Sequence, residues 1–315
     1  MKQCEPRVAI LIPCYNEEVA IPKVIADFRL AVPDAMIYVF DNNSTDQTAK
    51  VAIEAGAKVI LAPYQGKGNV VRRMFADVEA DVYVMVDGDA TYDAGAVKKL
   101  IQELIQQDLD MVVGCRVDHG EAANYRRGHR WGNRMLTSAV SHIFGGKFTD
   151  MLSGYRAFSR RFVKSFPALT RGFEIETELT IHALELRMPY GEILTQYGSR
   201  PEGSESKLST FKDGFRILKT IIRFYMTERP IGFFGILAFL LMLTGCVLFF
   251  PVLEQYLMTG LVPRLPTAIL SLGLILTAFL SMTCGLILDT VTRGRHEVKR
   301  LAYLSIPRYQ SEKNK

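Results

Sequence analysis

Residues 81–93 read Asp81-Val82-Tyr83-Val84-Met85-Val86-Asp87-Gly88-Asp89-Ala90-Thr91-Tyr92-Asp93. The run Val82 to Val86 is apolar and β-favouring, so it makes a buried strand. Where the run stops, two carboxylates, Asp87 and Asp89, stand at spacing i, i+2. Hard oxygen donors suit Mg²⁺ or Mn²⁺, ions usually held by one or two carboxylates together with substrate phosphates. The same residues also suit a plain polar turn in which Gly88 supplies the bend. Asp-Gly-Asp alone does not separate the two readings.

Outward from this stretch, residues 7–114 alternate short apolar strands with helical segments, the pattern of a parallel α/β sheet covered on both faces. Strands are expected at Val8 to Ile12, Met36 to Phe40, Ala57 to Leu61, Val82 to Val86 and Asp110 to Gly114. Helices are expected to start near Glu17, Asp46, Gly68 and Ala94. Ligands of such sheets gather at the carboxyl ends of the strands. Those ends carry Pro13-Cys14-Tyr15-Asn16-Glu17, Asp41-Asn42-Asn43-Ser44, Gln65-Gly66-Lys67-Gly68, Asp87-Gly88-Asp89 and Gly114-Cys115-Arg116. Asn16, Ser44 and Asp46 also suit helix caps, and Gly66 and Gly68 a turn. Acids mixed with Lys67 and Arg116 along one sheet edge nevertheless make a common site there.

Several function classes fall away. Gly66-Lys67-Gly68 lacks the spacing of a nucleotide-hydrolase P-loop, and no Gly-x-Gly-x-x-Gly of a dinucleotide fold occurs. A net charge of +5 without Lys/Arg blocks interleaved with aromatics gives no support to nucleic acid as a partner. Five cysteines without metal-ligand spacing fit a reduced, cytosolic main domain. The run Val8 to Ile12 is too short for a signal-peptide core and is the first strand instead.

From Asn124 to Ser209 the pattern is mixed. Trp131, Met135, Leu136, Val140, Ile143 and Phe144 recur at helical spacing beside Arg126, Arg127, Arg130 and Arg134. That suits a core stripe or a basic helix on a membrane surface. Glu174 and Glu178 would share a helix face with Glu176 turned away, and a solvated face accounts for at least one of the three. The loop Ser199 to Leu208 collects hydroxyls, a glycine, Arg200 and Lys207, which suits a phosphate or a surface linker.

Residues 208–229 form an amphipathic helix with Phe211, Phe215, Leu218, Ile222 and Tyr225 on one face and Lys212, Arg216, Lys219 and Arg223 opposite. Two uncharged runs follow, Ile231 to Leu253 and Thr267 to Leu288, each of about the 20 residues that span a bilayer. The loop between them has one acid and one arginine, whereas Arg293, Arg295, Lys299 and Arg300 follow the second run. The positive-inside rule places both flanks in the cytosol. The expected organisation is a cytosolic domain over 1–207, an interfacial helix over 208–230, a membrane hairpin over 231–290 and a basic cytosolic tail over 291–315.

In this combination the chain resembles family 2 glycosyltransferases of the polyprenyl-phosphate type, along nearly its whole length. The resemblance rests on Pro13-x-Tyr15-Asn16-Glu17, Asp41, Gly66-Lys67-Gly68, Asp87-x-Asp89, Gly114-x-Arg116, Arg200 with Ser204-x-Ser206-Lys207-Leu208, and the membrane hairpin. It implies a GT-A fold, a mostly parallel nucleotide-sugar-binding sheet, and inverting transfer of a hexose from a UDP- or GDP-sugar to undecaprenyl or dolichyl phosphate. By the same resemblance Pro13, Tyr15, Glu17, Asp41 and Lys67 bind the nucleotide-sugar. Asp87 and Asp89 hold a Mg²⁺ or Mn²⁺ that bridges the diphosphate. Arg116, Arg130, Arg200, Ser204 and Lys207 receive the lipid phosphate, and Asp89, Arg116 and Arg200 are the catalytic set. Homo-oligomers through the hairpin are a further expectation. Thr91 stands where the family often has an amide, which puts the third metal ligand in doubt, and Asn42 stands where relatives often have a second aspartate. Arg127-x-x-Arg130-Trp131 lacks the Gln of processive polysaccharide synthases, one rival reading. An inactive scaffold keeping the fold is the other.

Overall fold

Successive residues of the first strand are buried to opposite sides. Ala9 and Leu11 join one apolar cluster with Met74, Phe75 and Phe158, while Ile10 and Ile12 join another with Phe28, Val84 and Leu100. A strand with both faces buried needs helices above and below it, the two-sided layering of parallel sheets. The computed structural model describes residues 5–117, 127–201 and 210–309. In the first part of the chain β1 (Val8–Cys14), α1 (Ile21–Ala31), β2 (Met36–Asp41), α2 (Thr48–Glu54), β3 (Lys58–Leu61), α3 (Lys67–Asp77), β4 (Val82–Met85), α4 (Val97–Gln106) and β5 (Met111–Val117) alternate. Next come α5 (Arg127–Phe144), β6 (Arg156–Ser159), α6 (Arg160–Ser165), α7 (Ile175–Glu185) and β7 (Tyr190–Gln196), and then α8 (Thr210–Glu228), α9 (Pro230–Thr259) and α10 (Leu265–Leu304).

Among the described residues, seven strands form one sheet in the order β3-β2-β1-β4-β6-β5-β7. The chain winds outward from β1 to β3 and then resumes on the other side with β4. That leaves a crevice at the carboxyl ends of β1 and β4, the usual ligand position in such sheets. All five expected strands are present. The sheet is not wholly parallel, however. Strand β6 runs antiparallel between β4 and β5, with Met85 opposite Arg156 and Val82 opposite Ser159. It is four residues long and begins with an arginine, so it carries no apolar run that marks it as central.

Helix α5 buries Leu136, Val140 and Phe144, so among its described side chains the apolar stripe is core. On α8, Ile217 and Ile221 are buried, while Phe215 and Ile222 are 71% and 49% exposed. Of the expected apolar face, Phe215 and Ile222 are exposed beside Arg216, Lys219 and Arg223, while Leu218 and Tyr225 are half-buried.

The chain divides into two compact units, Lys219–Val298 and the remainder, the latter including Lys299–Lys315. In the smaller unit, α9 and α10 are long and apolar enough to cross a membrane. Their packing is by small residues: a Cβ on Gly245 would come within 2.8 Å of Ile275, and Ser281 Oγ donates to the Phe234 carbonyl at 3.2 Å. In the larger unit the segment after residue 298 is no free tail. Lys299 pairs with Glu185 at 2.8 Å, Arg308 pairs with Asp108 at 2.8 Å, and Tyr303 donates to Asp110 at 2.7 Å. Asp110, fully buried, also receives Ser159 and Arg161, whose guanidinium lies over the Tyr303 ring.

Candidate active site

The loops at the strand ends are locked to each other before any ligand arrives. Asn16, at φ 53°, takes its place after β1 by donating its N–H to Ser44 Oγ at 2.9 Å and accepting from the Thr45 N–H at 2.8 Å. The Glu17 N–H donates to Thr48, and Glu18 and Asp46 accept from each other's loop. Residues suited to capping thus clasp the β1 and β2 loops together. Asp41, at the end of β2, is 4% exposed, and its Oδ1 finds no hydrogen-bond partner among the described residues. A buried acceptor left open in this way suits an N–H or O–H of a bound ligand.

Asn42 explains why an amide stands there. Its Nδ2 donates to the Ala62 and Tyr64 carbonyls, both at 2.8 Å, and its Oδ1 accepts from the Gly66 N–H at 2.7 Å. The loop that delivers Lys67 hangs on this side chain. Asn42→Asp would turn a carboxylate toward two carbonyls, so it is expected to destabilise the protein by about 2–3 kcal/mol. The midpoint of chemical unfolding measures this.

Gly66 and Gly68 do more than turn. A Cβ on Gly66, at φ 120°, would meet the Arg171 carbonyl at 2.2 Å, and one on Gly68 would meet the Thr170 carbonyl at 2.3 Å. The glycines let the chain at 170–171 cross directly over the start of α3, where the Gly68 N–H donates to Arg171 O at 3.0 Å.

Lys67 is thereby driven inward. Its ammonium contacts Asp87 Oδ1 and Glu176 Oε1, each at 2.5 Å. Burial opposes the lysine's charge, but the two carboxylates outweigh it and hold its pKa above the usual lysine range. One ammonium cannot fully compensate two acids. Burial and neighbouring Asp87 accordingly push Glu176 up despite Lys67. Asp89, 5% exposed, is raised by burial and by Asp87, against the pull of Arg200 and Thr91. Arg200 contacts Asp89 Oδ2 at 2.6 Å and stands 3.7 Å from Glu17. Thr91 donates its hydroxyl and N–H to Asp89 Oδ1, at 2.6 and 3.2 Å, across Ala90 at φ 57°. Its hydroxyl orients the acid it follows.

Arg116 and Asp150 form a second cluster. Arg116 grips the carboxylate with two parallel bonds of 2.7 Å, Asn133 adds a third at 2.9 Å, and the guanidinium lies over the Tyr197 ring. Burial would raise the Asp150 carboxyl, but Arg116 holds it below the usual range. Gly154, four residues on, lies against the metal-type acids: a Cβ there would come within 2.4 Å of Asp87 Oδ2. Two hard carboxylate groups, with room beside one kept by a glycine, fit Mg²⁺ or Mn²⁺.

Of the expected residues, Lys67 pairs with Asp87, Arg200 pairs with Asp89 and stands near Glu17, Arg116 pairs with Asp150, Asp41 is buried with its Oδ1 lacking a hydrogen-bond partner among the described residues, and Pro13 and Tyr15 are half-buried at the end of β1. Ser204 and Lys207 lie outside the described residues, as does the side chain of Arg130. Asp150, Arg156 and Glu176 had no motif to announce them. Glu176 and Glu178 are not a solvated face: both are buried, and the Glu178 carboxylate holds the N–H groups of Leu169 and Thr170.

A family model described as Glycosyl transferase family 2 matches residues 9–166. Glycosyltransferase AglJ of Haloferax volcanii is 33% identical over 299 residues, covering 94% of this chain and 98% of the relative. The dolichyl-phosphate hexose transferase of the same organism is 30% identical, covering 70% of this chain and 95% of its own. Among solved structures, glucosyl-3-phosphoglycerate synthase of Mycobacterium tuberculosis, in complex with Mn²⁺, UDP-glucose and phosphoglyceric acid, superposes with a TM-score of 0.57 at 22% identity, over 71% of this chain and 80% of that one. This likeness establishes the GT-A fold.

Proposed function

The chain belongs to glycosyl transferase family 2, and from that premise we propose that it transfers a hexose from a nucleotide-sugar to a polyprenyl phosphate, with inversion at the anomeric carbon. The observation that carries the reading is the grouping of Asp87 and Asp89 with Lys67 and Arg200, beside Arg116, at one sheet edge. The dolichyl-phosphate hexose transferase among its relatives supports the acceptor class.

Each residue then has a task. Asp41 accepts a hydrogen bond from the base or ribose through its open oxygen. Asp87 and Asp89 would hold Mg²⁺ or Mn²⁺, which would supply positive charge to the departing diphosphate. Lys67 adds a further cation on the same side. Arg116, fixed in orientation by Asp150, and Arg200 present guanidinium groups to the acceptor phosphate. A phosphate is already an anion near neutral pH, so it attacks in line without a general base. The histidine placement agrees with this. Burial pushes His182 down to about 3, and it sits between Phe162 and Phe166, bonded to Ser165.

The apolar helices α9 and α10 suit a lipid acceptor whose tail stays in the bilayer. Docking of 299–309 on the unit that carries the sheet supports both flanks of the hairpin lying on the cytosolic side. The outward Phe215 and Ile222 beside Arg216, Lys219 and Arg223 suit an interfacial α8.

The test is a panel of UDP- and GDP-hexoses offered to purified protein with Mn²⁺ or Mg²⁺ and either undecaprenyl or dolichyl phosphate. One donor is expected to give a lipid-linked sugar of inverted configuration. Transfer to water alone, or to neither lipid from any donor, overturns the proposal.

A further inference from the structure

Lys67 is shared by two carboxylates where one would suffice. Asp87 alone matches its charge, yet Glu176 stands on the other side of the ammonium with a side chain only 5% exposed. A surplus buried carboxylate is costly. It is also firmly placed. Glu176 lies in the first turn of α7, and its carbonyl accepts from Thr180 Oγ1, which in turn accepts from fully buried Arg156. The ring of Phe173 lies 6.0 Å from the ammonium.

The surplus has a use if Asp87 changes partner. A divalent cation arriving at Asp87 meets a lysine already on that carboxylate, and the two cations repel. A second carboxylate within contact distance lets the ammonium keep its counter-charge while Asp87 is released. The geometry points to Glu176 as a positioning residue for divalent-cation binding: it receives Lys67 when Asp87 engages the ion. This inference rests on the metal reading of Asp87 and Asp89 given above.

The test is Mn²⁺ binding to the chain with its membrane helices, in detergent with UDP present, read from the paramagnetic resonance of the free ion. Wild type is expected to bind and Asp89→Ala to lose binding. If wild type binds no Mn²⁺, the metal reading fails and takes this inference with it. If wild type binds, Glu176→Gln is expected to weaken Mn²⁺ by roughly 10- to 100-fold, the range for groups that orient metal ligands. Glu176→Asp should recover part of the loss. In a Lys67→Met background, or Lys67→Gln should the first not fold, adding Glu176→Gln should weaken binding no further, because no ammonium remains to be moved. Wild-type affinity in Glu176→Gln overturns the inference. So does an equal loss with and without Lys67, which would make Glu176 a mere background charge.

Discussion

Asp89→Ala should lose on the order of 10³-fold or more in sugar-transfer rate, the scale seen when a group that stabilises transition-state charge is removed, while melting at or above the wild-type temperature. The two halves have one origin. Asp89 is buried beside Asp87, and its raised pKa shows that holding it ionised is unfavourable. The alanine removes that cost. Arg200, which loses its 2.6 Å partner, keeps Glu17 nearby and is partly open to water. Under the proposed function catalysis would have the opposite dependence, because alanine offers no hard anionic oxygen to hold Mg²⁺ or Mn²⁺. A more stable but inactive variant would be the stability and activity trade-off found where sites hold unfavourable charge. Wild-type turnover in the variant would remove Asp89 from the metal site, and inactivity accompanied by unfolding would refute the account of its burial.

The second large effect falls on stability. Arg156 is fully buried, and its guanidinium donates to the Ser153 carbonyl at 2.9 Å, to Thr180 Oγ1 at 2.9 Å and to the Met151 carbonyl. Burial lowers its pKa, so the position is expensive for a cation. What it returns is order in 150–155, the segment that supplies Asp150 to Arg116 and Gly154 to Asp87. Arg156→Leu leaves three buried acceptors without their donor and does not fill the same volume. A loss of about 3–5 kcal/mol is expected, which lowers the melting temperature by roughly 10 °C for a unit of this size. Arg156→Lys should fall between, since one ammonium cannot reach all three acceptors. An unchanged melting temperature in the leucine variant would mean the loop is held by something other than this side chain.

These residues also show what could be read from the chain and what could not. Strands β1, β2, β4 and β5 are legible because a parallel strand buried on both faces must be continuously apolar. Asp87 and Asp89 stand out only through their neighbours: alone they suit a polar turn equally well, and it is the other polar strand ends that make them candidates for a site. Strand β6 is not legible, because pairing antiparallel in the middle of the sheet requires no apolar signature in four residues starting with Arg156. Its invisibility hides Asp150 as well, since only β6 brings the preceding loop back to β5. Glu176 is hidden for a different reason. Helical spacing says which glutamates share a face but not whether that face meets water or a lysine from a loop more than a hundred residues earlier. Asn42 and Thr91, noticed only as departures from a familiar pattern, owe their identities to hydrogen bonds with particular carbonyls and with one carboxylate.

The seat of residues 299–309 on the sheet-bearing unit constrains how the protein is made. Asp110, just before β5, accepts a hydrogen bond from Tyr303, and Glu185 of α7 pairs with Lys299. Both partners lie near the end of α10 and are synthesised only after α9 and the apolar part of α10. The globular unit therefore finishes folding after the apolar helices have been synthesised, and a chain interrupted between them carries a buried aspartate short of a donor. Completion of the sheet-bearing unit is thus tied to synthesis of some of its most distant residues, and a chain ended early would leave Asp110 without Tyr303.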